Sequence, residues 1–212
     1  MLKKVLSTWW ILILLLAVSA NALNSDWPNY RHDLSQSAFT QAESRYEINY
    51  TGVVWSFQTK GWVQSSPVAA DIDNDGFPEV AVGSDDGNLY VFSHNGTLLW
   101  NYTTGDRIRS SPAIGKLDLD KYLEVVVGSE DGSLYAFDHS GNLLWSFKSR
   151  DSIRFPPAIV ELYYNNRGSE VVFNSENRIY ILDSMGSIIQ EYRFKEDISQ
   201  PIVIADINND GS

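Results

Sequence analysis

Apolar and polar residues alternate along this chain in runs too short for helices, and turn-forming residues close each run. From Ser65 onward the pattern reads strand, turn, strand. Pro67 to Asp71 is a brief apolar run that ends in the polar turn Asp73-Asn74-Asp75-Gly76. Glu79 to Gly83 is β-branched and apolar, and it stops at Ser84-Asp85-Asp86-Gly87. Asn88 to Ser93 alternates, which puts Leu89 and Val91 on one face and Tyr90 and Phe92 on the other. His94-Asn95-Gly96 predicts a hairpin, because Asn-Gly accepts the positive φ of tight turns. Thr97 to Thr103 supplies a fourth strand with Leu99 and Trp100. Outside the N-terminal segment no stretch carries a helical apolar period.

This unit then repeats. From Pro67 to Pro112 is a step of 45 residues, and the same step carries Leu98-Leu99-Trp100 to Leu143-Leu144-Trp145. Roughly half of the positions in Ser65–Arg109 are identical one period later. Four short antiparallel strands per period predict an all-β fold, a β-propeller of four-stranded blades that bury the apolar face of each sheet on the next. A solenoid is the competitor, and tight turns within each unit favour the meander of a blade. The blades are 65–109, 110–154 and a more divergent 155–200, followed by a partial blade at 201–212. Residues 51–64 match the last strand of a blade and are expected to complete the closing blade of a ring. The chain ends inside the fourth acidic turn, so an incomplete ring and a longer parent protein are expected.

The N-terminus changes the picture next. Lys3 and Lys4 precede an apolar run from Trp9 to Val18 and then Ala20-Asn21-Ala22, the layout of a secretory leader over residues 1–22. Export follows, to the periplasm, the cell surface or beyond; an uncleaved leader would be the sole membrane link. Residues 23–50 form a lead-in segment. No cysteine is present, so packing and sheet hydrogen bonds, with metal as a candidate addition, must hold the exported fold in place of disulfides. The net charge of −11 disfavours nucleic acid and anionic lipid as partners and attracts cations. Asn49, Asn95 and Asn101 each open an N-x-Thr acceptor pattern for glycosylation.

The sharpest chemistry is Asp71-Ile72-Asp73-Asn74-Asp75-Gly76-Phe77-Pro78-Glu79. Carboxylates from Asp71, Asp73, Asp75 and Glu79, with the main-chain carbonyl of Phe77, supply the oxygens that calcium requires. In the second copy Lys116 replaces the first ligand and Lys121 the glycine, and an ammonium could neutralise Asp118 and Asp120 in place of a metal. The third copy has lost the spacing. The fourth recovers it with Asp206, Asn208 and Asp210. The alternative for each loop is a turn whose side chains bond their own backbone.

Other residues have structural readings. Trp55, Trp100 and Trp145 share one strand position and are expected to pack between blades. His94 and His139 share a hairpin position and read as turn residues. Arg109 and Arg154 precede inner strands, where ion pairs with neighbouring acids are expected ahead of an anionic ligand. No Ser-His-Asp order, phosphate-cradling glycine loop or paired-acid constellation rises above the repeat.

The Asp-x-Asp-x-Asp-Gly-x-x-Glu loop before a Val/Ala-rich strand resembles the FG-GAP/VCBS type of calcium-binding propeller repeat. Tyr135 to Trp145 resembles the quinoprotein (PQQ-like) repeat with its docking tryptophan, and Trp27 to Asp33 is similar to the segment that leads into such propellers. Ala136 to Trp145 spans ten positions where the quinone-binding motif has eleven, so the resemblance implies a propeller without quinone. These likenesses imply a non-enzymatic, calcium-stiffened binding or scaffold module for protein or glycan partners at the cell surface. The alternative is the propeller part of a larger exported enzyme whose catalytic part lies outside this chain, a polysaccharide lyase or hydrolase ahead of a quinoprotein dehydrogenase.

Overall fold

The computed structural model describes residues 53–162 and 168–204. The leader, the lead-in segment and Asp206, Asn208 and Asp210 lie outside the described residues. Twelve strands form three antiparallel sheets of four. The first blade holds β1 (Val68–Ala70), β2 (Glu79–Gly83), β3 (Asn88–Phe92) and β4 (Leu98–Thr103). The second holds β5 (Ala113–Gly115), β6 (Glu124–Gly128), β7 (Ser133–Phe137) and β8 (Leu143–Lys148). The third holds β9 (Ala158–Val160), β10 (Glu170–Ser175), β11 (Arg178–Leu182) and β12 (Ile188–Arg193). Each sheet is ordered as its chain runs, a meander from inner to outer strand. Inner strands β1, β5 and β9 lie side by side. These are propeller blades, and no strand closes a ring among the described residues.

Both faces of the middle strands of the first two blades are largely buried, which is why β2 reads as a continuous apolar run, whereas Ile179 and Ile181 leave one face of β11 half-buried. Leu89, Val91 and Ala81 join Ile114, Val125, Val127 and Phe137 of the second blade in one core. Tyr90, Phe92, Val80 and Val82 pack on the other side with Trp55 and Phe57. The alternation along β3 therefore separates two interfaces. A third core joins Ala113, Val126, Leu134 and Ala136 of the second blade to Val171, Phe173 and Tyr180 of the third.

Tryptophan closes each seam. The indole N–H of Trp55 donates to the His94 carbonyl at 3.3 Å, that of Trp100 to His139 at 3.2 Å, and that of Trp145 to Ser184 at 2.9 Å. Each ring covers the glycine of the next blade's outer hairpin. A Cβ on Gly141, whose φ is +84°, would lie 2.6 Å from the Trp100 ring. Glycine is thus required twice there, by the backbone and by the indole. A β-bulge precedes each tryptophan position, where Leu98-Leu99, Leu143-Leu144 and Ile188-Ile189 oppose a single partner and are exposed. In the third blade Gln190 stands at this position. Residues 53–64 make only a single bridge at Phe57, yet Phe57 packs at a tilt against Tyr90 and Phe92 as Tyr102 does against Tyr135 and Phe137.

Candidate functional site

The meander sends the β1–β2 loop and β3–β4 hairpin to one end of each blade. The β2–β3 turn and the connection to the next blade lie at the opposite end. The acidic loops therefore share one face of the propeller, and Arg109 and Arg154 lie on the other.

In the first loop one carboxylate oxygen from each of Asp71, Asp73 and Glu79 lies within 4.8 Å of the others. That separation suits oxygens around one calcium ion at 2.3–2.6 Å each. Asp75 stands outside this trio, and its Oδ1 accepts the Phe77 N–H at 2.8 Å. Asp71 accepts the N–H groups of Asp75 and Gly76 at 3.0 and 2.9 Å. Gly76 is held at φ +96°, in the left-handed region that favours glycine. Phe77 stacks on His94, centroid to centroid 4.5 Å, pinning the loop to the hairpin of its own blade. Tyr122 on His139 repeats this at 3.9 Å. Both histidines sit in hairpin turns, as the sequence predicts.

Glu79 is the informative member. It is buried, and it accepts the Ile72 N–H at 2.8 Å. Glu124 accepts from Leu117 at 2.6 Å and Glu170 from Leu162 at 2.8 Å, in the equivalent place. The third blade keeps this bond although its loop has lost the acidic spacing. One task of the glutamate is therefore structural and shared by all three blades, and it holds the peptide whose side chain (Ile72, Leu117) fills the seam. The Ile72 carbonyl in turn accepts Leu123 N–H from the next blade at 3.0 Å, and the Leu117 carbonyl accepts Ser169 N–H at 3.1 Å. Burial pushes the carboxyls of Glu79 and Glu124 up to about 7, helped by neighbouring aspartates and opposed by the backbone bond. The sequence singles out Glu79 as a ligand; its repetition at 124 and 170 is the signal for the second task.

The second loop keeps more of the first than its lysines suggest. Asp118, Asp120 and Glu124 also bring oxygens within 4.8 Å of one another. Lys116 donates to the main-chain carbonyl of Asp120 at 2.5 Å, and its ammonium forms no ion pair with Asp118 or Asp120. It braces the loop instead of neutralising it.

At the opposite face the chain builds a ladder of charge. Arg109 donates to Asp85 at 3.0 and 3.2 Å and to Glu130 at 3.3 Å, and Arg154 pairs with Glu130 at 2.9 Å. Gln64 occupies the equivalent position one repeat earlier and donates to Asp85 at 2.9 Å. Ion pairing of the two arginines is therefore what the structure shows. Between the ladder and the loop at 61–64 is an open cavity of about 430 Å³ lined by Trp62, Gln64, Asp85, Arg107 and Arg109. Trp62 and Arg107, one repeat apart, carried no signal in the sequence because neither belongs to a motif.

A comparison with curated proteins finds no match. Among solved structures, BamB from Moraxella catarrhalis is 19% identical, covering 66% of this chain and 40% of its own, with a TM-score of 0.49. The structure of BBS1N in complex with ARL6DN, soaked with mercury, is 16% identical, covering 74% and 47%, with a TM-score of 0.50. The chain spans less than half the length of either, and the second likeness concerns the fold alone. A family model for the lambda-carrageenase β-propeller domain matches residues 46–112 and 113–211. Those two matches cover most of the chain and all three blades seen here, so the chain belongs to the lambda-carrageenase β-propeller domain family.

Proposed function

We propose that this chain is an exported propeller module that binds a glycan or protein partner. In this reading a calcium ion held by Asp71, Asp73 and Glu79 stiffens its first corner, and Asp75 and the Phe77 carbonyl join them on loading. The observation that carries the reading is the convergence of three carboxylates on a loop tied both to its own hairpin and to the next blade. A bound cation would relieve their mutual repulsion and fix the Ile72 peptide between the blades. The same loop, followed by the β-branched β2, also supports the FG-GAP/VCBS and PQQ-like likeness, without a quinone.

A second reading makes the chain the propeller part of a larger enzyme acting on a polysaccharide. The family favours this, since its name comes from a carrageenase. A glycan ligand is compatible with both readings. The scaffold supports such a role because what differs between blades lies at exposed ends. Positions 62, 107 and 152 are Trp, Arg and Ser, and positions 64, 109 and 154 are Gln, Arg and Arg.

Calorimetric titration of the full chain tests the metal. Calcium should give saturable heat and a higher melting temperature, and Asp71→Asn with Asp73→Asn should remove most of both. Absence of heat and of any shift in the unmutated chain would overturn it. Retention of the chain in gels cast with polysaccharides tests the glycan, and unretarded migration in all of them would leave a protein partner.

A further inference from the structure

We propose that the acidic end of the blades docks a partner-protein segment carrying aliphatic and basic side chains. Its aliphatic residues seat on paired leucines and isoleucines, and its cations face the loop carboxylates. The inference rests on the protein-partner reading above and adds a face and a chemistry to it.

Most of the exposed large apolar side chains lie at this end. The outer strands begin with the pairs Leu98-Leu99, Leu143-Leu144 and Ile188-Ile189, all exposed. A bulge needs an extra residue but not an apolar one, and polar side chains there would leave the core intact. Each pair is apolar all the same. The pairs also run on from blade to blade. Trp100 bonds the hairpin that launches Leu143, and Trp145 bonds the hairpin that launches Ile188. A band of this kind marks an interaction surface. Leu119, 73% exposed, adds an aliphatic side chain between Asp118 and Asp120. The stack of Tyr122 on His139 ties its loop to the hairpin before Leu143.

Charge decides what covers the band. Every arginine among the described residues lies at the opposite end, with Lys60, Lys148 and Lys195. The acidic end keeps Lys116 and Lys121 among the described residues. Lys116 bonds the Asp120 carbonyl, and Lys121 lies over the Tyr122 ring at 4.6 Å. Neither pairs with a carboxylate there. A calcium ion in the first loop would offset only part of the charge on Asp71, Asp73, Asp75 and Glu79. This end therefore presents apolar groups in a negative field, the complement of an aliphatic and basic segment. A second copy would bring the same negative field, and an anionic membrane would be repelled.

The test uses the full chain, in buffer with calcium, and three synthetic peptides of equal length. One is built of leucine and lysine, one of leucine and glutamate, and one of lysine and glutamine. In calorimetry the leucine–lysine peptide should bind about tenfold more tightly than either of the others, and its affinity should fall with salt. Leu143→Ser with Leu144→Ser should weaken it about fivefold or more. Asp118→Asn with Asp120→Asn should do the same through lost attraction. An unchanged circular dichroism spectrum shows that each variant folds, and Leu119→Ser, with a loss of about threefold, replaces one that does not. Binding that none of these variants alters would place the partner elsewhere and overturn this face while sparing the protein-partner reading. Equal binding of the leucine–lysine and leucine–glutamate peptides would overturn the charge complement. Self-association abolished by Leu143→Ser with Leu144→Ser would make a second copy the occupant. Binding to phosphatidylcholine vesicles, lost in that variant, would make it a lipid surface. Either result would overturn the proposal. No binding of any peptide would overturn this face. Joined to unretarded migration in every polysaccharide gel, it would overturn the binding-module reading as well.

Discussion

A glutamate at the start of the second strand of every blade shows how one residue can serve scaffold and site together. Glu124 is 1% exposed and holds the Leu117 N–H. Glu124→Ala should cost about 1–3 kcal/mol, the usual penalty for stranding a buried donor, read as a lower denaturation midpoint in urea. Glu124→Gln keeps an acceptor oxygen and should cost much less. Its raised carboxyl also sets a pH dependence. The folded form holds the proton up to about 7, whereas the unfolded chain releases it near 4.5. The folded state therefore binds more protons between those values, and the contribution to stability falls as pH rises from about 4.5 to about 7. Melting curves across that window should show this fall without added metal, and Glu124→Gln should flatten it. The acidic spacing was legible in the sequence at this scale. The second task of Glu79 and the course of Lys116 were not, because each depends on where a neighbouring peptide lies in three dimensions.

Between elements, the bond that matters joins an outer strand to the hairpin of the next blade. The bulge at Leu98-Leu99 re-aims β4 so that Trp100 covers Gly141. Trp100→Ala should lose on the order of 3 kcal/mol, since it empties a seam and removes the bond to His139. Gly141→Ala should also destabilise, because a methyl group would lie 2.6 Å from the indole at a positive φ. Guanidinium denaturation of both variants checks this. The strands themselves were legible almost to the residue: Glu79–Gly83 was expected and found, and the opposite faces of Leu89 and Tyr90 were found in separate cores. The bulge was hidden, since an extra residue in a strand leaves the spacing of the repeat unchanged.

Across the molecule, the acidic loops and the charge ladder are at opposite ends of the blades, so a metal held at the proposed site would be addressed from the side opposite the ladder. With calcium at about one hundred times its dissociation constant, the chain should gain about 2.7 kcal/mol, removed by a chelator and absent in the Asp71→Asn, Asp73→Asn pair. A melting-temperature titration reads this, and a stoichiometry of two that falls to one in Asp118→Asn with Asp120→Asn would assign the second ion to Asp118, Asp120 and Glu124 rather than to Asp206, Asn208 and Asp210. The repeat period alone made this architecture legible. The cavity was not, because Trp62 and Arg107 converge only once two blades stand side by side.

Strand β2 has a further consequence through its length. Its five residues, at about 3.3 Å each, keep the acidic turn roughly 16 Å from the ladder. That is about twice the Debye length of ~8 Å in physiological salt. Loading a divalent ion at one rim should therefore change the potential at the other only weakly through solvent, so a salt titration of the ladder should look similar with and without calcium.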